Sequence, residues 1–375
     1  MCLAVPCLFS EIGLKISEIS VILTPRMRIL LWPISFFYHI VLTIRHMLYD
    51  WHILRTTRFE KPVICVGNLS LGGTGKTPHT EYLIRLLKNQ YRVATLSRGY
   101  GRRTKGFQLA NEQSTFEDLG DEPMQYHRKF PDIKVAVDEN RVDGTRNLIL
   151  TPNSAEVVLL DDAFQHRRIK AGLNILLTEY QHLYCNDFLF PAGTLRDIKS
   201  AAKRADIIVV SKAPKELEET EKQRIINGLI PKKHQKVFFS YLEYGGFMPL
   251  TPRAEKTDAN NTDSALLFCG IAHPKALIDR LKQQFKQVEA LPFSDHHIYL
   301  GNDIRRILER FNQLNSERKI IVTTEKDAAR LANSPYFCQF ENVPLYDLPV
   351  NVRFHEEEKF NEEILNYVRQ NTYHG

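Results

Sequence analysis

The chain has 375 residues, room for about two domains, and its 43% hydrophobic and 25% charged content is ordinary for a globular protein with a sizeable core. A net charge of +6 and a pI near 8.9 are too mild to imply nucleic-acid binding; they suit an anionic substrate or an anionic membrane surface. The six cysteines form no CxxC pair and show neither zinc-like nor disulfide-framework spacing, which indicates a reduced, cytoplasmic compartment.

Residues 1–26 show no clear period, and a second methionine, Met27, opens "MRILLWPIS". This stretch reads as a non-native or disordered upstream extension. Residues 29–49, "ILLWPISFFYHIVLTIRHMLY", are strongly apolar yet short for a clean span, which needs about 20 apolar residues. Ser35, His39, Thr43, His46 and Asp50 recur at helical spacing as one narrow polar stripe, and Arg26, Arg28 and Arg45 flank it. The pattern predicts a membrane-anchoring helix over 27–54 whose stripe faces protein or substrate. Six short Val/Ile/Leu-rich runs follow at 62–66, 92–96, 133–137, 156–160, 174–178 and 206–210. Such runs are typical of strands buried on both faces. They alternate with helical patterns such as "PHTEYLIRLLKN", so a parallel α/β sheet with helices on both faces is expected over 55–241. Residues 242–264 are rich in Gly, Pro, Asn and Asp and read as a linker. A second, smaller α/β domain is expected over 265–375, with strands at 265–269 and 319–323 and helices near 274–286, 302–314 and 359–370.

The chemistry starts at "LSLGGTGKTP", Leu69–Pro78, between a strand and a helix. It matches the phosphate-binding pattern G-x-x-x-x-G-K-[ST] except that Ser70 stands at the first glycine. Gly72, Gly73, Thr74 and Gly75 would turn backbone N–H groups towards phosphate oxygens, and the helix N-terminus adds its partial positive charge. Lys76 would reach the β- and γ-phosphates of ATP and the Thr77 hydroxyl would bind Mg²⁺. "VVLLDD" supplies Asp161 and Asp162 after a strand, of which one would hold the metal; which one stays open. Gln165, His166, Arg167 and Arg168 follow directly and suit anionic groups. "GDEP", Gly120–Pro123, is an acidic turn, and "FSDHHIY" offers Asp295, His296 and His297 without a third metal ligand.

These stretches, with "LSRGYGRR", "PAGTLRD" and "TTEKDAARL", run in the order found in the tetraacyldisaccharide 4'-kinases, the lipid A 4'-kinases of Gram-negative bacteria, and the chain resembles that family from about Arg58 to Leu331. Ser70 is at home there. Ala163, Thr194 and Asp197 depart from residues usual in the family. The resemblance implies a P-loop NTPase-like core, a smaller C-terminal domain and an active site in the cleft between them. It implies transfer of the γ-phosphate of ATP to the 4'-hydroxyl of a lipid A disaccharide 1-phosphate, at the cytoplasmic face of the inner membrane. Residue by residue, it makes Asp121 a catalytic base partnered by His296, and gives Lys76, Asp162 and Arg196 roles at the transferring phosphoryl group. Ser97, Arg98, Tyr100, Glu122, Gln165 and His166 would lie near the lipid substrate. Apart from membrane lipids no partner is expected, neither nucleic acid nor an obligate protein. Two rivals fit less well: a partitioning-type ATPase would need lysine at Leu71, and a GTPase would need N-K-x-D where "SKAP", Ser211–Pro214, stands.

Overall fold

The computed structural model describes residues 30–150, 153–271, 274–295, 297–332 and 334–372, so the expectations for 1–26 and for His296 lie outside the described residues. Contacts divide the chain into two units: one holds residues up to Arg98, Asp138–Leu242 and Val352 onward, the other Gly99–Val137 and Glu243–Asn351.

Within the first unit, six strands pair in parallel in the order Lys236–Tyr244, Ile207–Ser211, Leu173–Glu179, Val63–Asn68, Val157–Asp161 and Val93–Ser97. Val63–Asn68, Val157–Asp161, Val93–Ser97 and Ile207–Ser211 are buried at every position. That is why they read as continuous apolar runs without alternation. Because all six are parallel, Asn68, Ser97, Asp161, Glu179 and Ser211 end on one edge, where open α/β sheets place their ligands. The helix Lys76–Leu87 buries Leu83, Ile84 and Leu87. The strand from Lys236 and the helix Glu219–Leu229 escaped sequence reading, since neither has a clean period.

The final helix, Glu357–Thr372, belongs to this first unit and not to the C-terminal domain expected over 265–375. Its Phe360 stacks on Phe354 at 3.8 Å, Tyr82 Oη donates to Asn361 at 2.7 Å, and Tyr367 Oη donates to the Val63 carbonyl at 3.1 Å. A return by a chain end to an earlier domain leaves no local signature in sequence.

The apolar segment forms the helix Trp32–Asp50, with Pro33 in its first turn, where a missing N–H costs nothing. Its buried residues are Ser35, Leu42, His46 and Tyr49. Ser35 Oγ donates to the Leu189 carbonyl at 3.1 Å and accepts from Ala192 N at 2.9 Å. His46 Nε2 lies 2.6 Å from Oδ1 of Asp197, which is wholly buried, and Arg167 donates to Asp50 at 2.6 Å. Burial would raise the Asp197 carboxyl, but His46 and Arg204 hold it below its ordinary value. The helix is thus attached by its polar residues and turns apolar ones outward: Ile34, Phe36, Phe37 and Ile44 are each more than half exposed. The stripe differs from expectation at His39, which is exposed, its place on the inner face being taken by Tyr38 and Leu42. Among the described residues no helix is long and apolar enough to cross a membrane.

The second unit is built on a five-stranded sheet ordered Met248–Pro249, Leu345–Leu348, Lys319–Thr324, Ser264–Cys269 and Gln287–Pro292, parallel except for the first pair. Alternate residues of the interior strand Ser264–Cys269 feed two cores: Ala265 and Leu267 pack with Leu277 and Leu281, while Leu266 and Phe268 pack with Ile304 and Ile307. Two expected boundaries are corrected here. Residues 99–137 join this unit rather than the core domain. The stretch 242–264 is packed structure and not a linker, with Thr251, Ala254 and Ala259 buried. Its turn-rich composition serves caps: Thr251 accepts from Ala254 N, and Asp258 accepts from Asn260 N.

Candidate active site

In the first unit the loop after Val63–Asn68 turns on two left-handed glycines, Gly72 at φ 91° and Gly75 at φ 85°. These angles strain any other residue. Asn68, absent from sequence reading, organises the turn. Fully buried, it donates from Nδ2 to Gly72 O at 3.2 Å and to Thr74 Oγ1 at 2.9 Å. Gln165 donates to the Asn68 carbonyl at 2.8 Å, Leu71 N to Thr194 O at 2.7 Å, and Ser211 Oγ to Thr74 O at 2.8 Å. Ser70 sits in a bridge with Leu195 rather than facing the turn, so the missing first glycine lies outside the part that glycine angles require. His79, one turn into the helix, bonds Gly75 O at 2.7 Å and Ser240 Oγ at 2.9 Å, and burial lowers its pKa to about 4. A neutral imidazole there locks the loop to the helix without adding charge.

Three charged side chains converge on that loop. The Lys76 ammonium lies 3.4 Å from Asn68 Oδ1 and 3.7 Å from Asp162 Oδ1. Arg196 grips Asp162 with both terminal nitrogens, NH1 to Oδ2 at 2.9 Å and NH2 to Oδ1, and NH2 also reaches Asn68 Oδ1 at 2.5 Å. Burial alone would raise the Asp162 carboxyl, but the Arg196 and Lys76 charges hold it far below the carboxylate range. Asp162 takes φ 51°, a left-handed angle uncommon for a non-glycine residue, which is paid for by that grip. Its neighbour Asp161 is buried at the end of its strand, in register with Val66 two residues before Asn68.

Ser97 ends its strand buried. Arg98, His166 and the fully buried Arg141 share one electrostatic neighbourhood with Asp161 and Asp162. Burial first, and then the Arg141 and Arg98 charges, press His166 well below its ordinary value, so it is a neutral hydrogen-bonding group. Burial lowers the Arg141 guanidinium to about 10, still fully charged at neutral pH. No motif announced Arg141 or Asn68; each is a polar residue in an otherwise plain segment.

The remaining candidates lie in the second unit. Gly120 stands at φ 89° before the helix Asp121–Lys129, and a Cβ there would sit 2.5 Å from Tyr100 O. Gly120→Ala should therefore destabilise the protein by on the order of 2 kcal/mol or more, seen as a lowered midpoint in urea unfolding. Asp121 and Glu122 open this helix, and Arg330 and Lys326 face them: Arg330 NH2 donates to Asp121 Oδ2 at 2.6 Å, and Lys326 Nζ lies 3.6 Å from Glu122 and 3.9 Å from Asp295. Three motifs far apart in sequence, "GDEP", "TTEKDAARL" and "FSDHH", thus share one neighbourhood. Tyr100 is exposed on a turn flanked by Gly99 and Gly101, both at positive φ.

The phosphate loop and its acids fit a nucleotide-dependent phosphotransferase, and comparison with known proteins identifies which. The model of the family described as tetraacyldisaccharide-1-P 4'-kinase matches residues 27–369. The chain belongs to that family. A tetraacyldisaccharide 4'-kinase of Bacteroides thetaiotaomicron is 46% identical over 356 residues, covering 91% of this chain and 93% of the relative. One from Flavobacterium psychrophilum is 45% identical, covering 92% and 98%. Among solved structures, the "apo" form of LpxK from Aquifex aeolicus in complex with ATP matches with a TM-score of 0.70 at 28% identity, covering 91% of this chain and 99% of its own. The protein is accordingly an ATP-dependent kinase of lipid A biosynthesis, and its parallel-rich α/β architecture is that of the family.

Proposed function

We propose that the kinase moves the γ-phosphoryl group of ATP to the 4'-hydroxyl of a tetraacyldisaccharide 1-phosphate, giving lipid IVA. The observation that carries the reading is the convergence of Lys76, Arg196 and Asp162 on Asn68 and the glycine turn it braces, with Asp161 buried at the end of the neighbouring strand, at the C-terminal edge of a parallel sheet. Backbone N–H groups of Gly72–Thr77 cradle the phosphates, and Lys76 and Arg196 balance charge that builds on the transferring group. Thr77, Asp161 and Asp162 suit Mg²⁺ as an oxygen-only donor set of one or two carboxylates completed by phosphate oxygens, and a bound ion would neutralise phosphate charge. Arg196 holds Asp162 by both oxygens, which leaves Asp161 the better placed direct ligand. Asp121 accepts the proton of the attacking hydroxyl, with His296 orienting it. Ser97, Arg98, Tyr100, Glu122 and His166 contribute to binding of the lipid disaccharide. Gln165 braces the loop through Asn68. The test is an assay of phosphate transfer from ATP to purified tetraacyldisaccharide 1-phosphate against ATP turnover without lipid. Turnover independent of lipid would support a switch-type ATPase instead.

The same reading places the enzyme at the cytoplasmic face of the inner membrane, held through the helix Trp32–Asp50. Its inner face is bonded to protein, while Leu30, Ile34, Phe36, Phe37 and Trp51 are each more than half exposed. A patch of this kind on a soluble protein marks an interaction surface, and each such side chain gains roughly 1.5–3 kcal/mol when fully buried. Replacing Ile34, Phe37 and Ile44 together by serine should cut co-flotation with anionic lipid vesicles at least about tenfold. The thermal midpoint should stay put, because all three are over half exposed. Unchanged flotation would assign membrane contact to another surface. Deleting the helix is a poorer test, since it strips Asp197 and Arg167 of His46 and Asp50.

A further inference from the structure

We propose that Arg330 is a positioning residue for the reaction: it fixes the carboxylate of Asp121 in the orientation from which that carboxylate accepts a proton. This rests on the reading of Asp121 as the general base and adds to it a residue of the "TTEKDAARL" stretch to which sequence reading assigned no role. The helices Asp121–Lys129 and Glu325–Leu331 of the second unit run against each other with polar contacts at both ends. Lys129 pairs with Glu325 and Arg128 donates to the Ala329 carbonyl at 2.7 Å, while at the other end Arg330 meets Asp121. Arg330 donates from Nε at 3.1 Å and from NH2 at 2.6 Å, both to Oδ2, so the guanidinium edge fixes the carboxylate through one named oxygen.

Arg330 is itself immobilised. Its side chain is 6% exposed, and NH1 donates to Asp327 Oδ1 at 3.2 Å. Asp327 is wholly buried; its Oδ2 accepts from Thr324 Oγ1 at 2.6 Å and from Gly270 N at 3.0 Å, which ties the group to the end of the interior strand Ser264–Cys269. The chain strand end–Asp327–Arg330–Asp121 therefore has a fixed position at each link, as a preorganised catalytic group requires. A purely structural role is the alternative. Burying a guanidinium between two carboxylates roughly breaks even against apolar packing, so stability alone gives little reason for it. Asp121, by contrast, is only partly buried and stands at the first position of its helix, where a carboxylate can meet a ligand.

The experiment is steady-state kinetics of the full chain on ATP and tetraacyldisaccharide 1-phosphate for Arg330→Gln, Arg330→Lys, Arg330→Ala, Asp121→Asn and the double variant of Asp121→Asn with Arg330→Gln. Arg330→Gln is expected to lower kcat about 10²-fold while KM for ATP changes less than about twofold. Arg330→Lys should recover part of the loss, and guanidinium ion at non-denaturing concentration should restore part of the kcat of Arg330→Ala. In the Asp121→Asn background, Arg330→Gln should change the residual rate by less than about threefold, because the two act as one unit. A normal kcat for Arg330→Gln beside an inactive Asp121→Asn overturns the positioning role alone. So does an equal loss in both backgrounds, or the absence of any guanidinium rescue in a folded Arg330→Ala. A near-normal Asp121→Asn overturns the base assignment and the proposal with it. If Arg330→Gln does not fold, the lysine variant and guanidinium rescue decide.

Discussion

Lys76→Ala reduces phosphoryl transfer by about 10³-fold or more at saturating ATP, with the fold intact. The side chain is 18% exposed, and its ammonium lies between Asn68 Oδ1 and Asp162 Oδ1. What it loses is a positive charge placed where negative charge moves during transfer, an effect worth about 10²–10³ for a single donor in a preorganised site and more for a full charge. Stability changes little, because Arg196 still engages both oxygens of Asp162 and Asn68 still holds the turn through Gly72 and Thr74. Lys76→Arg does not restore the rate, since a planar fork cannot replace a compact ammonium at the same depth. The check is kcat for lipid phosphorylation together with the thermal midpoint. Near-normal turnover in a folded variant would remove the phosphate-loop reading.

Asp121→Ala is the second large effect: kcat falls about 10²–10⁴-fold while apparent ATP affinity changes little. General-base assistance acts in the transition state and not in nucleotide binding, so the loss belongs in kcat. The loop proposed to meet ATP, residues 70–77, lies in the other unit, and none of its hydrogen bonds given above involves Asp121. His296→Ala should show a loss of the same kind, and the double variant should be little worse than the worse single one, because paired residues do not add. Fully additive losses, or a defect confined to ATP binding, would show that the pair is misassigned. Initial rates across both substrate concentrations for the three variants decide it.

The two experiments probe features that were legible to different degrees. Lys76 and Thr77 could be named from sequence because a phosphate loop is local: glycine angles, a strand before and a helix after all lie within about a dozen residues. Five of the six parallel strands of the first unit were legible for a similar reason, since burial on both faces leaves unbroken apolar runs such as "VICV" and "VVLL", whereas Lys236–Tyr244 is less fully buried and was not. The polar stripe on the helix Trp32–Asp50 was legible in outline, but His39 fell on the outer face. A stripe of spaced polar residues fixes a face only to within one residue when the inner contacts are made by Tyr38 and Leu42 as well.

By itself, then, the sequence determined the α/β class, the glycine turn between the strand Val63–Asn68 and the helix Lys76–Leu87, the family, and the apolar helix at 32–50. Each of these depends on neighbours in the chain or on motif order. Only the tertiary structure decided that residues 99–137 join the unit of 243–351, that the last helix returns to the first unit, and that 242–264 is packed. The same holds for the contacts that orient the chemical groups. Arg196 across both oxygens of Asp162 and Arg330 on Asp121 are pairs separated by 34 and 209 positions. A lone arginine carries no period and no cap signal, so its partner is chosen by the packing of distant elements, which no local pattern encodes.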